Sequence, residues 1–152
     1  MPGRELLLHC RRRRVRSLPV LITSEQDREY QGRILSTEDD PDTRDLVHLL
    51  LKLEGFEVLY ADSADQALSL ARTSHFDLYL LDNWVPGLGG EDLCRKLRQF
   101  DQTTPILFYS GAGHQSDKDG AIAAGAQGYV VKPADPDELT AQILALIKRL
   151  WI

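Results

Sequence analysis

Acidic, hydroxyl and ammonium side chains follow four of the short apolar runs in this chain of 152 residues. Glu38 and Asp39 follow the first run, Asp82 the third, Ser110 the fourth and Lys132 the fifth. If the runs are parallel strands of one open sheet, their carboxyl ends meet at the same edge, where such sheets bind ligands. The spacing therefore predicts one polar site built from distant parts of the sequence.

The predicted cluster has a definite chemistry. Carboxylates about 4 Å apart repel by ~4 kcal/mol per pair at an effective dielectric near 20, so the cluster either raises a carboxylate pKa or recruits a cation. Carboxylate oxygens with water and a phosphate suit Mg²⁺. A metal, the ammonium of Lys132 and the hydroxyl of Ser110 around Asp82 also suit phosphoryl transfer, with the aspartate as the nucleophile that forms an acyl phosphate.

Five alternating strand and helix patterns after residue 33 would position these side chains. Five such pairs in 119 residues favour an α/β fold, a parallel sheet with helices on both faces. The predicted strands are Ile34–Thr37, Glu57–Tyr60, Leu78–Leu81, Pro105–Tyr109 and Tyr129–Val131. The predicted helices begin at Pro41, after Ser63, around Glu91, near Asp117 and at Pro136.

The first predicted helix carries clear sequence signals. Asp40 is expected as its N-cap and Pro41 as its first residue, and Gly55 is expected to end it. The residues expected to form its apolar stripe are Leu46, Val47, Leu50 and Leu53.

Charge divides the chain into two unlike parts. Hydrophobic residues make up 43% and charged residues 27% of the sequence, which is typical of a globular protein. The net charge of −5 combines +4 in residues 1–33 with −9 in residues 34–152. Cys10 and Cys94 lack the spacing of a zinc site or a disulfide scaffold, and no apolar run is long enough to span a bilayer.

Residues 1–32 are predicted to be a basic, disordered N-terminal extension to a domain of residues 33–152. The cluster Arg11–Arg14 follows the apolar run Leu6–Leu8, which is the reverse of the order in a signal peptide. Two alternatives stay open: an arm that contacts nucleic acid or anionic lipid, and a transit-like segment. No aromatic residue is interleaved for stacking on bases.

Four motifs in order resemble the receiver domain of two-component response regulators, the CheY-like family. The resemblance covers Arg33 to Leu150 and implies a flavodoxin-like, doubly wound (βα)5 sandwich with strand order 2-1-3-4-5. The motifs are Ile34 through Glu38-Asp39-Asp40-Pro41, Asp77 through Asp82 with Pro86-Gly87, Pro105-Ile106 through Ser110, and Gly125-Ala126 with Gly128 through Lys132-Pro133.

The resemblance implies a role for each site residue. Asp82 would be the phosphoacceptor. Asp39 would bind Mg²⁺ directly, Glu38 largely through water, and Trp84 through its backbone carbonyl, with Mn²⁺ as a substitute ion. Lys132 would pair with the acyl phosphate, and its peptide bond to Pro133 would be cis.

A second group of residues would transmit the signal in this family. Ser110 and Tyr129 resemble the switch pair, in which the hydroxyl moves to the phosphoryl group and the aromatic ring follows inward. The charge of about −1.5 to −2 that a phosphoryl group adds would drive this movement. The expected output surface is the face formed by the fourth helix, the fifth strand and the fifth helix.

The predicted function is that of a stand-alone, cytoplasmic response regulator. It would accept a phosphoryl group from a histidine kinase or phosphotransfer protein and signal through an unknown protein target. A homodimer is left open, whereas nucleic-acid binding by the domain and membrane insertion are not expected. Beyond autocatalytic phosphotransfer and self-dephosphorylation, no enzyme activity is expected.

Two other readings of the same residues remain. A pseudo-receiver would act as an interaction module without phosphorylation, although such a module normally lacks one of the key residues. A hydrolase of the haloacid-dehalogenase kind also uses an aspartate nucleophile and Mg²⁺. It requires a second aspartate two residues later, where this chain has Trp84.

Overall fold

The computed structural model describes residues 29–149, in which the five strands of a sheet alternate with five helices. The strands are β1 (Gly32–Thr37), β2 (Phe56–Ala61), β3 (Leu78–Leu81), β4 (Ile106–Ser110) and β5 (Gly128–Val131). The helices are α1 (Pro41–Leu53), α2 (Ala64–Thr73), α3 (Gly90–Arg98), α4 (Gln115–Ala124) and α5 (Pro136–Arg149). The expectations for Cys10 and Arg11–Arg14 concern residues outside this range.

The sheet is parallel throughout, in the order β2-β1-β3-β4-β5. Ile34 of β1 pairs with Val58 on one side and with Leu78 on the other. The predicted α/β fold and strand order are confirmed. Because the chain reverses its direction of travel across the sheet between β1 and β3, the ends of these two strands flank the crevice in which such folds bind ligands.

Helices cover both faces of the sheet and create two apolar cores. On one face, Leu35 and Tyr79 point toward α2, α3 and α4, whereas on the other face Ile34 and Leu78 point toward α1 and α5. Since neighbouring residues of a strand face opposite sides and β3 is buried along its whole length, β3 needs an apolar side chain at every position. This requirement explains the near-continuous apolar run Leu78–Leu81 in the sequence. Cys94 is a buried free thiol in the first core.

The first helix begins as predicted but buries a different stripe. The Asp40 carboxylate caps α1 by accepting a hydrogen bond from the Thr43 N–H at 3.0 Å. Val47 and Leu51, one turn apart, are buried, whereas Leu46 is 57% exposed. The prediction that Leu46 faces the core is therefore wrong. Three consecutive leucines at positions 49 to 51, with a fourth at position 53, leave the phase of the stripe ambiguous in the sequence.

A short antiparallel ribbon connects β3 to α3 where the sequence predicted only a glycine-rich loop. Trp84 pairs with Gly89 and Val85 with Leu88. Gly87 makes the turn with φ of 91°, a backbone conformation that side chains other than glycine rarely adopt. Across residues 29–149, no helix has the length and apolar character that a membrane span requires.

Asp101 forms a hydrogen-bond cluster at the end of the sheet opposite the predicted site. Its carboxylate accepts hydrogen bonds from the Tyr79 hydroxyl at 2.6 Å and from the Thr104 and Thr103 N–H groups at 3.0 and 3.1 Å. Burial alone would raise the pKa of Asp101, but these hydrogen bonds stabilise the charged form and lower the pKa to about 2. The carboxylate thereby links β3 to the loop before β4.

We expect Asp101→Asn to lower the free energy of unfolding by about 1 kcal/mol at neutral pH, a value discounted for solvent screening. Because the folded-state pKa lies below the unfolded value of about 3.9, the unfolded chain takes up the proton first. The advantage of the wild type is therefore present at neutral pH and lost as the pH falls from about 4 to about 2.

Urea unfolding of both proteins at several pH values measures this difference. Asp62→Asn, at an exposed aspartate, is the matched control and should change stability by less than about 0.5 kcal/mol. A difference between wild type and Asp101→Asn that stays constant on acidification would contradict the assignment.

Candidate functional site

Three carboxylates meet at the carboxyl ends of β1 and β3. Glu38, Asp39 and Asp82 each offer an oxygen within 4.8 Å of the others. Glu38 and Asp82 are buried, and Asp39 is exposed at the mouth of the site. The sequence predicted this cluster because the carboxyl ends of parallel strands meet at one edge of the sheet, and the structure brings its members together.

Lys132 reaches the carboxylates from the end of β5, on the far side of β4. Its ammonium donates hydrogen bonds to Glu38 Oε1 and to Asp82 Oδ2, the latter at 3.0 Å. The Lys132 Nζ also lies 5.3 Å from the centre of the Tyr109 ring. The peptide bond between Lys132 and Pro133 is cis, as the resemblance implied. One ammonium therefore bridges the two buried carboxylates.

Burial and the salt bridge between them set the pKa shifts of Glu38 and Lys132. Desolvation raises the pKa of Glu38, and the charge of Asp82 adds to this effect, while Lys132 opposes both. Burial also disfavours the charged form of Lys132, but its hydrogen bonds to Glu38 and Asp82 outweigh burial and raise its pKa. The site brings three carboxyl groups together with one ammonium, so acidic groups outnumber basic groups by two. Such a site favours a divalent cation.

Backbone contacts fix the position of Asp82. Its N–H donates to the Thr37 hydroxyl at 3.3 Å, which joins the ends of β1 and β3. Gly90, at the start of α3, donates its N–H to the Asn83 carbonyl at 2.9 Å. A Cβ atom at Gly90 would lie 2.9 Å from the Asn83 Cα, and closer still to the Asp82 carbonyl oxygen. The α3 backbone can approach the site this closely only because residue 90 is glycine.

The predicted switch residues lie next to the carboxylates. Ser110 is fully buried, and its hydroxyl accepts a hydrogen bond from the Ala112 N–H at 3.2 Å. Tyr129 is half-buried, and its hydroxyl donates to the Ala112 carbonyl at 2.5 Å. Burial raises the pKa of Tyr129, which keeps this hydroxyl protonated as a donor. The tyrosine hydroxyl thus already points toward the loop between β4 and α4.

Two contributors to the site were not singled out from the sequence. Asn83, next to Asp82, donates from Nδ2 to the Tyr129 hydroxyl at 2.9 Å. Thr37 was noted only as an unusually polar end to the first strand, and its hydroxyl supports Asp82. Both act through partners about 45 residues away, and no local spacing signals such contacts.

Trp84 borders the site. Its N–H donates to Asp82 Oδ1 at 3.4 Å, and its side chain is 74% exposed. Together with Ala112 and Arg95, it lines an open cleft of 310 Å³ beside the carboxylates. The assignment of its carbonyl as a metal ligand stays a prediction.

A sequence model described as the response regulator receiver domain matches residues 34–144 of the chain. The chain belongs to this family. The match confirms the resemblance that the four strand-end motifs indicated. It spans β1 to β5 and most of α5, and so includes every residue of the carboxylate and lysine cluster.

Curated relatives of this receiver domain are longer than the chain. The cell cycle transcriptional regulator CtrA of Caulobacter vibrioides is 38% identical over 117 residues, which are 77% of this chain and 51% of that protein. The transcriptional regulatory protein ResD of Bacillus subtilis is 30% identical over 123 residues, or 81% of this chain and 51% of ResD. The chain spans about half the length of these relatives. Its function as a stand-alone regulator therefore stays a prediction.

Solved receiver domains share the fold closely. The receiver domain of the Francisella response regulator 1452 has a TM-score of 0.74 and 26% identity, covering 78% of this chain and 98% of that chain. The receiver domain of the sensor histidine kinase PA1611 from Pseudomonas aeruginosa has a TM-score of 0.72 and 26% identity, covering 77% and 98%. The PA1611 structure contains a magnesium ion coordinated in its active-site cleft.

We expect Gly90→Ala to lower the free energy of unfolding by about 1–3 kcal/mol, because the added methyl group overlaps the backbone of Asp82 and Asn83. Gly89→Ala is the matched control, since the nearest atom to a Cβ there is the Asn83 carbonyl oxygen at 4.0 Å. Chemical denaturation of the two variants provides the comparison. Equal stability of the two variants would show that the close approach at Gly90 is unimportant.

Proposed function

We propose that this receiver domain accepts a phosphoryl group on Asp82 from a histidine kinase or phosphotransfer protein in a Mg²⁺-dependent reaction. The phosphorylated domain then signals through protein–protein contacts. The observation that carries the proposal is the position of Asp82, whose carboxylate has Lys132 on one oxygen and two further carboxylates within reach. This arrangement combines a nucleophile, a fixed cation and a set of hard oxygen ligands.

The carboxylates suit Mg²⁺ by their chemistry and spacing. Three oxygens within 4.8 Å of one another, one of them exposed at the mouth, give a hard and open ligand set. We assign Asp39 and Asp82 as ligands, Glu38 as a ligand largely through water, and the Trp84 carbonyl as a further ligand. Mn²⁺ is the expected substitute. When bound, the ion would neutralise charge on the oxygens of the transferred phosphoryl group.

Asp82 acts as the nucleophile in the proposed reaction. One carboxylate oxygen forms a bond to phosphorus while the bond from phosphorus to the donor's imidazole nitrogen breaks, and the nitrogen keeps the electron pair. The salt bridge between Lys132 and Asp82 Oδ2 is then replaced by a salt bridge between Lys132 and the phosphoryl oxygens. The Ser110 hydroxyl, now an acceptor for the Ala112 N–H, becomes a donor to the same group.

The proposed output lies away from the chemistry. Ser110 ends β4 and Tyr129 lies on β5. Movement of either side chain would therefore change the surface formed by α4, β5 and α5. We assign this face to an unknown protein target, with homodimerisation as the alternative use. The protein would work in the cytoplasm as a phosphoacceptor, with autocatalytic phosphotransfer and self-dephosphorylation as its only chemistry.

The proposed phosphoacceptor is tested by incubating the protein with acetyl phosphate in the presence of Mg²⁺ and measuring its intact mass. We expect the intact protein to gain the mass of one phosphoryl group, because acetyl phosphate supplies an activated donor to Asp82. Asp82→Asn should show no gain. Asp40→Asn is the matched control, since asparagine also caps a helix, and it should be phosphorylated like the wild type.

Two outcomes of this experiment would contradict the proposal. No mass gain in the wild type would favour the pseudo-receiver reading, in which the fold acts without phosphorylation. A gain that persists in Asp82→Asn would place the phosphoryl group on another residue.

A second prediction concerns the metal. We expect Mg²⁺ to change the fluorescence of Trp84, which lies beside the carboxylates, in a Trp151→Phe background that leaves one tryptophan. Asp39→Asn should weaken Mg²⁺ binding by at least about 10-fold, because a charged ligand is lost. Asp42→Asn, at an exposed position of α1, should bind like the parent protein.

Titration with Mg²⁺ and reversal by a chelator measure the affinity. Equal affinity of the Asp39→Asn variant and its parent would remove Asp39 from the metal site.

A further inference from the structure

A chain of two hydrogen bonds connects two loops around the site through Tyr129 of β5. Asn83 Nδ2 donates to the Tyr129 hydroxyl at 2.9 Å, and that hydroxyl donates to the Ala112 carbonyl at 2.5 Å. The donors run in one direction, so each bond polarises and strengthens the other. The chain joins the residue after Asp82 to the loop between β4 and α4.

The Tyr129 ring is fixed by a stacking contact on its face in addition to the hydrogen bonds at its hydroxyl. It stacks on Phe108 with centroids 5.7 Å apart and an interplanar angle of 4°. The two residues are direct partners on β4 and β5, and Phe108 is fully buried. Stacking fixes the plane of the ring, while the two hydrogen bonds fix where its hydroxyl points. Together these contacts hold the ring inward, packed against the core on that face of the sheet.

The amide of Asn83 is costly at this position. Its Oδ1 is buried and has no hydrogen-bond partner among residues 29–149. A buried amide oxygen without a partner is unfavourable, and an aliphatic side chain of similar shape would avoid the cost. Apolar packing alone therefore does not explain why residue 83 is an asparagine. The one bond that its side chain makes in the structure described is the bond to Tyr129.

The position of Asn83 makes it able to link the two parts of the site. Its carbonyl accepts the Gly90 N–H at 2.9 Å, and it follows Asp82 directly in the chain. A shift of the Asp82 backbone therefore also moves the Asn83 Cα from which this side chain projects. A change at Asp82 reaches the Tyr129 hydroxyl through one residue.

We propose that Asn83 is a positioning residue that holds the Tyr129 ring inward and links the loop of Asp82 to the loop between β4 and α4. The holding of the ring does not depend on the proposed function. The link to phosphorylation rests on Asp82 as the phosphoacceptor. Ser110 lies beside the same tyrosine hydroxyl, so Asn83 shares the position of the ring with the predicted switch hydroxyl.

Fluorine NMR of the full chain labelled with 3-fluorotyrosine tests the proposal. Tyr129→Phe assigns the Tyr129 resonance, and Tyr60 and Tyr79, elsewhere in the sheet, serve as internal controls. In Asn83→Leu, which keeps the side-chain size but removes the donor, we expect the Tyr129 resonance to shift by more than its linewidth without any phosphoryl analogue. The two control resonances should stay in place.

The second arm adds Mg²⁺ and beryllofluoride, a phosphoryl analogue. We expect only a small change for Tyr129 in the wild type and a larger change, toward the wild-type position, in Asn83→Leu. A Tyr129 resonance that is the same in Asn83→Leu and in wild type before addition would overturn the proposal. If Asn83→Leu does not fold, Asn83→Ser, with a hydroxyl too short to reach Tyr129, is judged by the same criterion. Failure of the proposed function would appear separately, as no response to beryllofluoride in any variant.

Discussion

The ammonium of Lys132 between Glu38 and Asp82 is the interaction on which the site depends. Two ionised carboxylates about 4 Å apart repel by roughly 4 kcal/mol at an effective dielectric near 20, and burial adds to the cost. A fixed cation offsets this repulsion while leaving Asp39 exposed at the mouth of the site. The site is therefore stable enough to fold and still has an excess of negative charge.

This interaction constrains the sheet. Lys132 ends β5 at the edge of the sheet, whereas its two partners follow β1 and β3, so its side chain must cross the end of β4. The order β1-β3-β4-β5, with these strands parallel, brings the three ends to one edge of the sheet. Shorter supports then set the geometry at β3. The Thr37 hydroxyl holds the Asp82 N–H, and Gly90 lets the start of α3 lie against the same backbone.

The sequence was informative where function follows from the ends of strands. Glu38, Asp82 and Lys132 were predicted to meet because parallel strands present their carboxyl ends at one edge. Asn83 was missed because a polar residue after a strand is typical of a turn, and its partner lies 46 residues away. Leu46 was misplaced because α1 is rich in leucine, so that packing against the sheet, and not the pattern, decides which leucines are buried. Long-range contacts decide both cases.

The central claim is that the Asp82 carboxylate itself carries the phosphoryl group. Borohydride reduces an aspartyl phosphate to homoserine, so the modified residue can be located by peptide sequencing after the chain has been treated with acetyl phosphate and Mg²⁺. The account predicts homoserine at position 82 and an unmodified aspartate at positions 39 and 40. Homoserine at another position, or none in a protein shown to have gained a phosphoryl group, would contradict it.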